Sequence, residues 1–226
     1  MRYFLLFSLL LAFSLTVFAN NPDPVIGPDS PMPPVINPVS LKGDWRLPTD
    51  DYVGTIHLMG TTWYDYQHNG TTSRMLGVDT QGTVHLCWMN GTESGATNRW
   101  IFYNTYPNAG DTVGSQVSAV NRSGYCTAAI HNDAFRMFYH STYVSTTYPT
   151  CAWDTTGNRT FREVQMTNTT SLTWPHGTID RQGRCHVVSQ TTPNTSVYYQ
   201  RSNDGGITWT APQIINASTG MASVAH

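Results

Sequence analysis

GVDTQGTVHLCWM, residues 77–89, returns in outline as TIDRQGRCHVVSQ at residues 178–190. The match sets Val78 on Ile179, Asp79 on Asp180, Gln81 on Gln182, Gly82 on Gly183 and His85 on His186. Between them AIHNDAFRMFYHS, residues 129–141, keeps the apolar–turn–apolar outline with Ile130 in the shared slot, and SVAH at 223–226 places Val224 there once more. Successive slots are 52, 49 and 45 residues apart. Each unit reads as a strand, a D-x-x-G turn, an alternating second strand and an aromatic strand, WIFYN at 100–104 and SVYYQ at 196–200. In such a turn the Asp accepts backbone N–H groups and the Gly takes the left-handed position. His85 and His186 fall in alternating strands, where a hydrogen-bonded or outward-facing imidazole is expected before a ligand.

A unit of four short strands recurring every 45–50 residues has the period of propeller blades. A β-sandwich spaces its strands similarly but does not repeat a whole strand–turn–strand unit. The composition agrees with an all-β class. Charged residues make up 12 % of the 226, against about 25 % in an ordinary soluble domain, and aromatics also reach 12 %. Lys42 is the only lysine, and Glu93 and Glu163 are the only glutamates, so residues that favour exposed helices are scarce. With 12 basic against 14 acidic residues the formal charge is −2, which offers no field to hold a phosphate backbone; nucleic acid is not an expected partner.

Residues 1–19 read as a secretory signal peptide: a positive start at Arg2, an apolar run from Phe4 to Phe18, and the small-x-small site Val17-Phe18-Ala19. Prolines at 22, 24, 28, 31, 33, 34 and 38 deny residues 20–40 both helix and ladder hydrogen bonds and mark an extended linker. The folded domain is expected over 41–226. No later stretch is long and apolar enough to span a bilayer, so an extracellular chain without a membrane span is expected after cleavage. Cys87, Cys126, Cys151 and Cys185 could pair in three ways, although Cys87 and Cys185 sit in apolar strands as small core residues do. None stand at CxxC spacing, and no metal or organic cofactor is implied. Asn-x-Ser/Thr triplets begin at Asn69, Asn90, Asn121, Asn158, Asn168, Asn194 and Asn216, acceptor sites in a eukaryotic secretory route.

Ser202-Asn203-Asp204-Gly205-Gly206-Ile207-Thr208-Trp209 fits S-x-D-x-G-x-T-W. On this motif the chain resembles the sialidase-like, or BNR-repeat, Asp-box β-propellers. Asp154-Thr155-Thr156-Gly157-Asn158-Arg159-Thr160-Phe161 is a degenerate copy, and YPNAGDT at 106–112 keeps little beyond a turn. The resemblance implies a scaffold role for Ser202, Asp204, Gly206 and Trp209, on hairpins away from the ligand site. It implies for an enzyme an arginine triad, a tyrosine nucleophile backed by a glutamate, and an aspartate acid/base. Trp45-Arg46-Leu47-Pro48 stands where the first arginine motif of the family would, departing at two positions, which makes Arg46 the one catalytic candidate. DWRLPTDDY reads equally as a domain-entry turn. Neither Glu93 nor Glu163 comes with a nucleophile context, and nothing in the spacing of Arg99, Arg122, Arg136 and Arg201 marks them.

Thr62-Trp63-Tyr64-Asp65-Tyr66-Gln67-His68-Asn69 packs three aromatics among amide and hydroxyl groups, the composition that stacks on sugar rings. Trp63, Tyr64 and Tyr66 are therefore ligand-binding candidates; alternate aromatics of a strand facing the core are the other reading. Residues 41–226 hold three full units and part of another, against about four to eight blades in a closed propeller, so an incomplete propeller is expected. Three functions remain open: non-catalytic binding of glycans or surface glycoproteins outside the cell, the N-terminal part of an exo-sialidase-like glycoside hydrolase, and a structural surface module.

Overall fold

Alternating apolar and polar residues, with few helix formers among them, leave the backbone one general way to satisfy its hydrogen bonds, by pairing between strands. The computed structural model describes residues 57–64, 66–67, 74–108, 110–166, 171–191 and 196–217, all within the unit Asn37–His226. The expected leader and linker, Arg46 and the partial repeat at 223–226 lie outside the described residues.

Twelve strands form three four-stranded antiparallel sheets, each a meander in chain order. The first sheet contains β1 (Leu76–Val78), β2 (Val84–Gly91), β3 (Arg99–Tyr106) and β4 (Ser115–Gln116). The second contains β5 (Gly124–His131), β6 (Ala134–Tyr143), β7 (Thr146–Asp154) and β8 (Phe161–Gln165). The third contains β9 (Leu172–Ile179), β10 (Cys185–Thr191), β11 (Val197–Ser202) and β12 (Gln213–Asn216). Among the described residues there is no helix, and none long and apolar enough to cross a membrane.

The first strands hold the sheets together. β5 packs against both β1 and β9, and β9 also lies against β6 and β7. Ala128 N–H donates to Arg74 O at 2.7 Å, joining the entry to β1 with β5. Thr127 Oγ1 accepts from Gly177 N–H at 3.1 Å and donates to Pro175 O at 3.3 Å, joining β5 with β9. Such proximity requires small side chains. A Cβ on Gly177 would come within 2.1 Å of the Phe138 ring, so glycine stands there for want of room.

Alternation decides which side chains enter which seam. Cys87, Met89, Ile101 and Tyr103 of the first sheet bury themselves against Cys126, Ala128, Phe135, Met137 and Tyr139 of the second. Phe138, Cys151 and Trp153, on the other face of the second sheet, bury against Cys185 and Val187 of the third, with Trp209 alongside. Polar ties close the seams at the turn end. Thr80 N–H and Oγ1 donate to the Asp133 carboxylate at 2.6 and 2.7 Å. The Arg159 guanidinium pairs with Asp111, and Arg136 Nε donates to Gly205 O at 2.7 Å while its guanidinium lies 4.8 Å from the Trp153 ring centre.

The repeat is physical as well as textual. Asp79 Oδ1 accepts from the N–H groups of Gln81 and Thr83, as Asp180 Oδ1 does from Gln182 and Arg184. Gly82 and Gly183 hold φ of 81° and 78°, the left-handed backbone that these turns require. The second carboxylate oxygen meets the histidine: Asp79 Oδ2 is 3.2 Å from His85 Nε2, and Asp180 Oδ2 is 3.0 Å from His186 Nε2. Nδ1 in turn lies 2.6 Å from Tyr103 Oη and 2.7 Å from Tyr199 Oη. A carboxylate only accepts, so a neutral imidazole there carries its proton on Nε2 and takes the tyrosine proton on Nδ1. Both histidines are satisfied within their own sheets. The middle unit departs: Asn132 and Asp133, at φ of 46° and 64°, make a two-residue turn instead of D-x-x-G.

Between β11 and β12, Ser202 Oγ donates to Asp204 Oδ1 at 2.7 Å and accepts from Gly206 N–H at 2.7 Å. Asp204 also takes the Thr208 hydroxyl at 2.6 Å and the N–H groups of Thr208 and Ile207 at 2.8 and 3.1 Å. Trp209 Nε1 donates to Gly206 O at 3.0 Å, and its half-buried ring meets Phe138 edge-on. The equivalent hairpin of the second sheet is gathered the same way: Asp154 accepts from the N–H groups of Thr156, Gly157, Arg159 and Thr160.

Replacing Gly177 by alanine should lower unfolding stability by about 1–3 kcal/mol, the usual cost of overpacking; an unchanged urea midpoint would show that β9 does not need that proximity. The Thr208 hydroxyl, with the N–H of Thr208 and the Ser202 hydroxyl, holds the Asp204 carboxyl down at about 2. Its stabilising contribution is present above the unfolded value of roughly 4 and is lost as pH falls toward 2. Asp204→Asn should be less stable at neutral pH and lose less on acidification, as read from urea unfolding at several pH values. Parallel curves for both proteins would remove the carboxylate from the acid response.

Candidate functional site

The D-x-x-G turns and the Ser202–Trp209 hairpin share one end of the sheets, and aromatic side chains collect at the other. There the chain enters each first strand. Tyr64 is held by its N–H to Thr62 Oγ1 at 2.9 Å, while Thr62 Oγ1 donates to Met89 O at 3.0 Å and accepts from Gly91 N–H at 3.0 Å. Gln67 braces the same segment, its Nε2 donating to Met89 O at 2.9 Å and its Oε1 accepting from Met89 N–H at 2.8 Å. The described residues of 61–67 are irregular backbone anchored by side chains, not a strand.

Tyr64 Oη lies 2.9 Å from Tyr125 Oη. The Tyr66 ring meets Tyr125 edge-on at 6.2 Å, Tyr125 meets Trp174 in the same manner at 6.4 Å, and the tilted His140 ring lies 5.6 Å from Tyr125. The Arg99 guanidinium sits over Tyr64, 4.8 Å from the ring centre. Its Nε is enclosed without a hydrogen-bond partner among the described residues. Tyr64, Tyr125 and Trp174 are half-buried and Tyr66 is 38 % exposed, so the cluster has solvent on one side. Burial, and then the Tyr64 hydroxyl, raise the Tyr125 phenol above its ordinary range. The cluster presents hydroxyls and ring faces, with Arg99 as the neighbouring cation.

Tyr125 and Trp174 occupy matching places, each five residues ahead of the aligned Ile130 and Ile179. Both hold left-handed backbone, φ 52° and 48°, a conformation that costs a bulky residue about 1–3 kcal/mol. Tyr125 lies where the β5–β6 register shifts between Gly124 and Thr127, and the β9–β10 register shifts between Val188 and Gln190. Such bulges turn a side chain off the alternating pattern, here toward the entry end. His140 fixes Trp174 from beneath, its Nδ1 accepting the Trp174 N–H at 3.2 Å. That hydrogen bond leaves Nδ1 unprotonated, and burial followed by the Arg99 charge brings the His140 pKa down to about 3.

Of the sequence candidates, Tyr64 and Tyr66 enter this cluster. Trp63 adjoins it, half-buried, with its N–H on Gly91 O at 2.9 Å. Ser202, Asp204, Gly206 and Trp209 belong to the opposite end and the second seam. Tyr125, Trp174, Arg99 and His140 were not singled out from sequence. The aligned repeat carried the signal for the first two, an aromatic at a fixed distance before each first-strand isoleucine.

A tyrosine–glutamate pair does form away from this site: Tyr139 Oη donates to Glu163 Oε2 at 2.6 Å, and Glu163 Oε1 accepts Ala119 N–H at 2.7 Å. Tyr139 is fully buried in the first seam. Burial, then the Glu163 charge, pushes its phenol well up, so the pair ties β6 to β8 and presents no nucleophile to solvent. Glu93 closes its own loop by accepting the Asn98 N–H at 2.8 Å and the Thr92 hydroxyl at 3.0 Å. A concavity of about 630 Å³ lies where β1, β5 and β9 meet, lined by Arg74, Leu76, Val78, Ile130 and Ile179. No family model and no curated protein sequence matches the chain.

His140 should stay neutral through the physiological range, with ring NMR shifts constant from about pH 8 to 5, whereas an ordinary histidine titrates near 6.5. Its neutral state stabilises the fold above that value, and the contribution is lost as pH falls toward 3. A titration midpoint near 6.5 would mean that His140 is not enclosed behind Trp174.

Proposed function

We propose that the three sheets are blades of an Asp-box β-propeller and that their entry end is a non-catalytic glycan-binding surface on an exported protein. Three meanders of one strand order, joined through their first strands, support the blade reading, as does the Asp–His–Tyr arrangement repeated in the first and third sheets. The glycan reading is carried by one observation. Tyr64 and Tyr66, from the segment leading toward the first sheet, converge at one end with Tyr125 of the second sheet and Trp174 of the third, the last two on backbone that ordinarily belongs to glycine.

Ring faces stack on the C–H faces of a pyranose, while phenol, amide and guanidinium groups bond its hydroxyls. A half-buried, pre-packed aromatic group loses little side-chain freedom on binding, which favours affinity. The resemblance of Ser202–Trp209 to the Asp-box hairpin agrees with this division of labour, a scaffold end and a ligand end. Extracellular location rests on the leader read from residues 1–19. Glycans or surface glycoproteins are the partners this reading names.

The test is a glycan array followed by calorimetry on the best ligand. Tyr66→Ala, at the exposed edge of the cluster, should weaken binding about tenfold, the equivalent of roughly 1.4 kcal/mol from one stacked ring, with an unchanged melting temperature. A variant that binds like the parent would take the cluster out of recognition. Turnover of a fluorogenic sialoside by the chain would replace the binding reading with the glycosidase one.

A further inference from the structure

Four cysteines occupy the two seams, and the first seam brings two of them together. Cys87 lies on β2 and Cys126 on β5, strands of different sheets that pack directly on one another. Both are at 0 % exposure within one apolar cluster, bounded by Met89, Ala128 and Met137. Their thiols interact with each other across the seam, and burial together with that contact pushes the Cys87 thiol well up. In the structure all four sulfurs are unbonded.

We infer that Cys87 and Cys126 are a cross-linking site, closing under oxidising conditions to a disulfide that bonds the first sheet to the second. The second seam differs. Cys151 and Cys185 share the other cluster, but the Cys185 thiol acts on Cys151 through charge alone, whereas Cys126 reaches Cys87 through contact as well. These two remain thiols.

The chemistry balances with a disulfide oxidant such as oxidised glutathione. A thiolate on one cysteine attacks the glutathione disulfide, one glutathione thiol leaves, and the second cysteine attacks the mixed disulfide to release the other. Two S–H bonds are lost, one S–S bond forms, and both electrons and both protons end on two glutathione molecules. A thiolate is the nucleophile, and enclosure disfavours it, so closure belongs to the folding chain, before the seam excludes its oxidant. Once formed, the bond would close a loop of about forty residues and remove that freedom from the unfolded chain.

The third sheet supplies the control substitution. Val188 stands nine residues after Ile179, as Cys87 stands nine after Val78, so Cys87→Val places at this position a residue the repeat already uses. The full chain would be refolded from reductant into a glutathione redox buffer, denatured, alkylated, and mapped by mass spectrometry without reduction. One cross-linked peptide joining Cys87 and Cys126 is expected, with Cys151 and Cys185 alkylated. Reductant should lower the melting temperature of the parent and leave that of Cys87→Val where it was. Alkylation of all four cysteines, a link through any other pair, or equal sensitivity of both proteins to reductant would overturn the inference.

Discussion

Everything else in the molecule depends on how closely the first strand of each sheet lies to that of the next. β5 is wedged between β1 and β9, and its contacts to both are made by backbone and by the smallest side chains: Ala128 against Arg74 O, Thr127 against Gly177 and Pro175. Splaying outward from that line, the sheets leave room for large residues farther along, so Met137, Tyr139, Phe138 and Trp153 fill the seams. The graded fill, small at the first strands and large beyond, turns three separate meanders into one packed body.

Polar groups perform a complementary task at the turn end. The carboxylates of Asp79, Asp154, Asp180 and Asp204 are gathered by their own turns, and the ties between sheets are made by other groups: Asp133 to Thr80, Arg159 to Asp111, Arg136 to Gly205. A charged or carbonyl partner from the neighbouring sheet fixes rotation about the seam in a way that apolar packing alone leaves loose. The opposite end carries the rings, with Tyr64 bonded to Tyr125 and His140 to the Trp174 N–H.

How much of this could be read in advance follows from the range of each interaction. The D-x-x-G turns and the Ser202–Trp209 hairpin are local, so residues a few positions apart contain the whole geometry and the sequence displays it. The separation of Tyr64 and Tyr66 from the core was half-legible, because aromatics among hydroxyl and amide groups suit a wet surface, but nothing in TWYDYQHN announces that Thr62 and Gln67 anchor it as irregular backbone. Tyr125 and Trp174 escaped notice because strand alternation assigns a face by parity, and a bulge breaks parity where they stand. Across-seam partners such as Arg136 with Gly205 are 69 residues apart, and no local pattern encodes them.

The left-handed backbone at Tyr125 and Trp174 bears on how the protein responds to selection. Glycine is the residue each backbone position favours, and a library sorted for heat resistance alone would drift toward it there, flattening the aromatic surface as the fold grew hardier. Persistence of large rings at both sites would then be a signature of a requirement imposed from outside the fold. The two positions thus form a built-in assay for what the molecule is kept for.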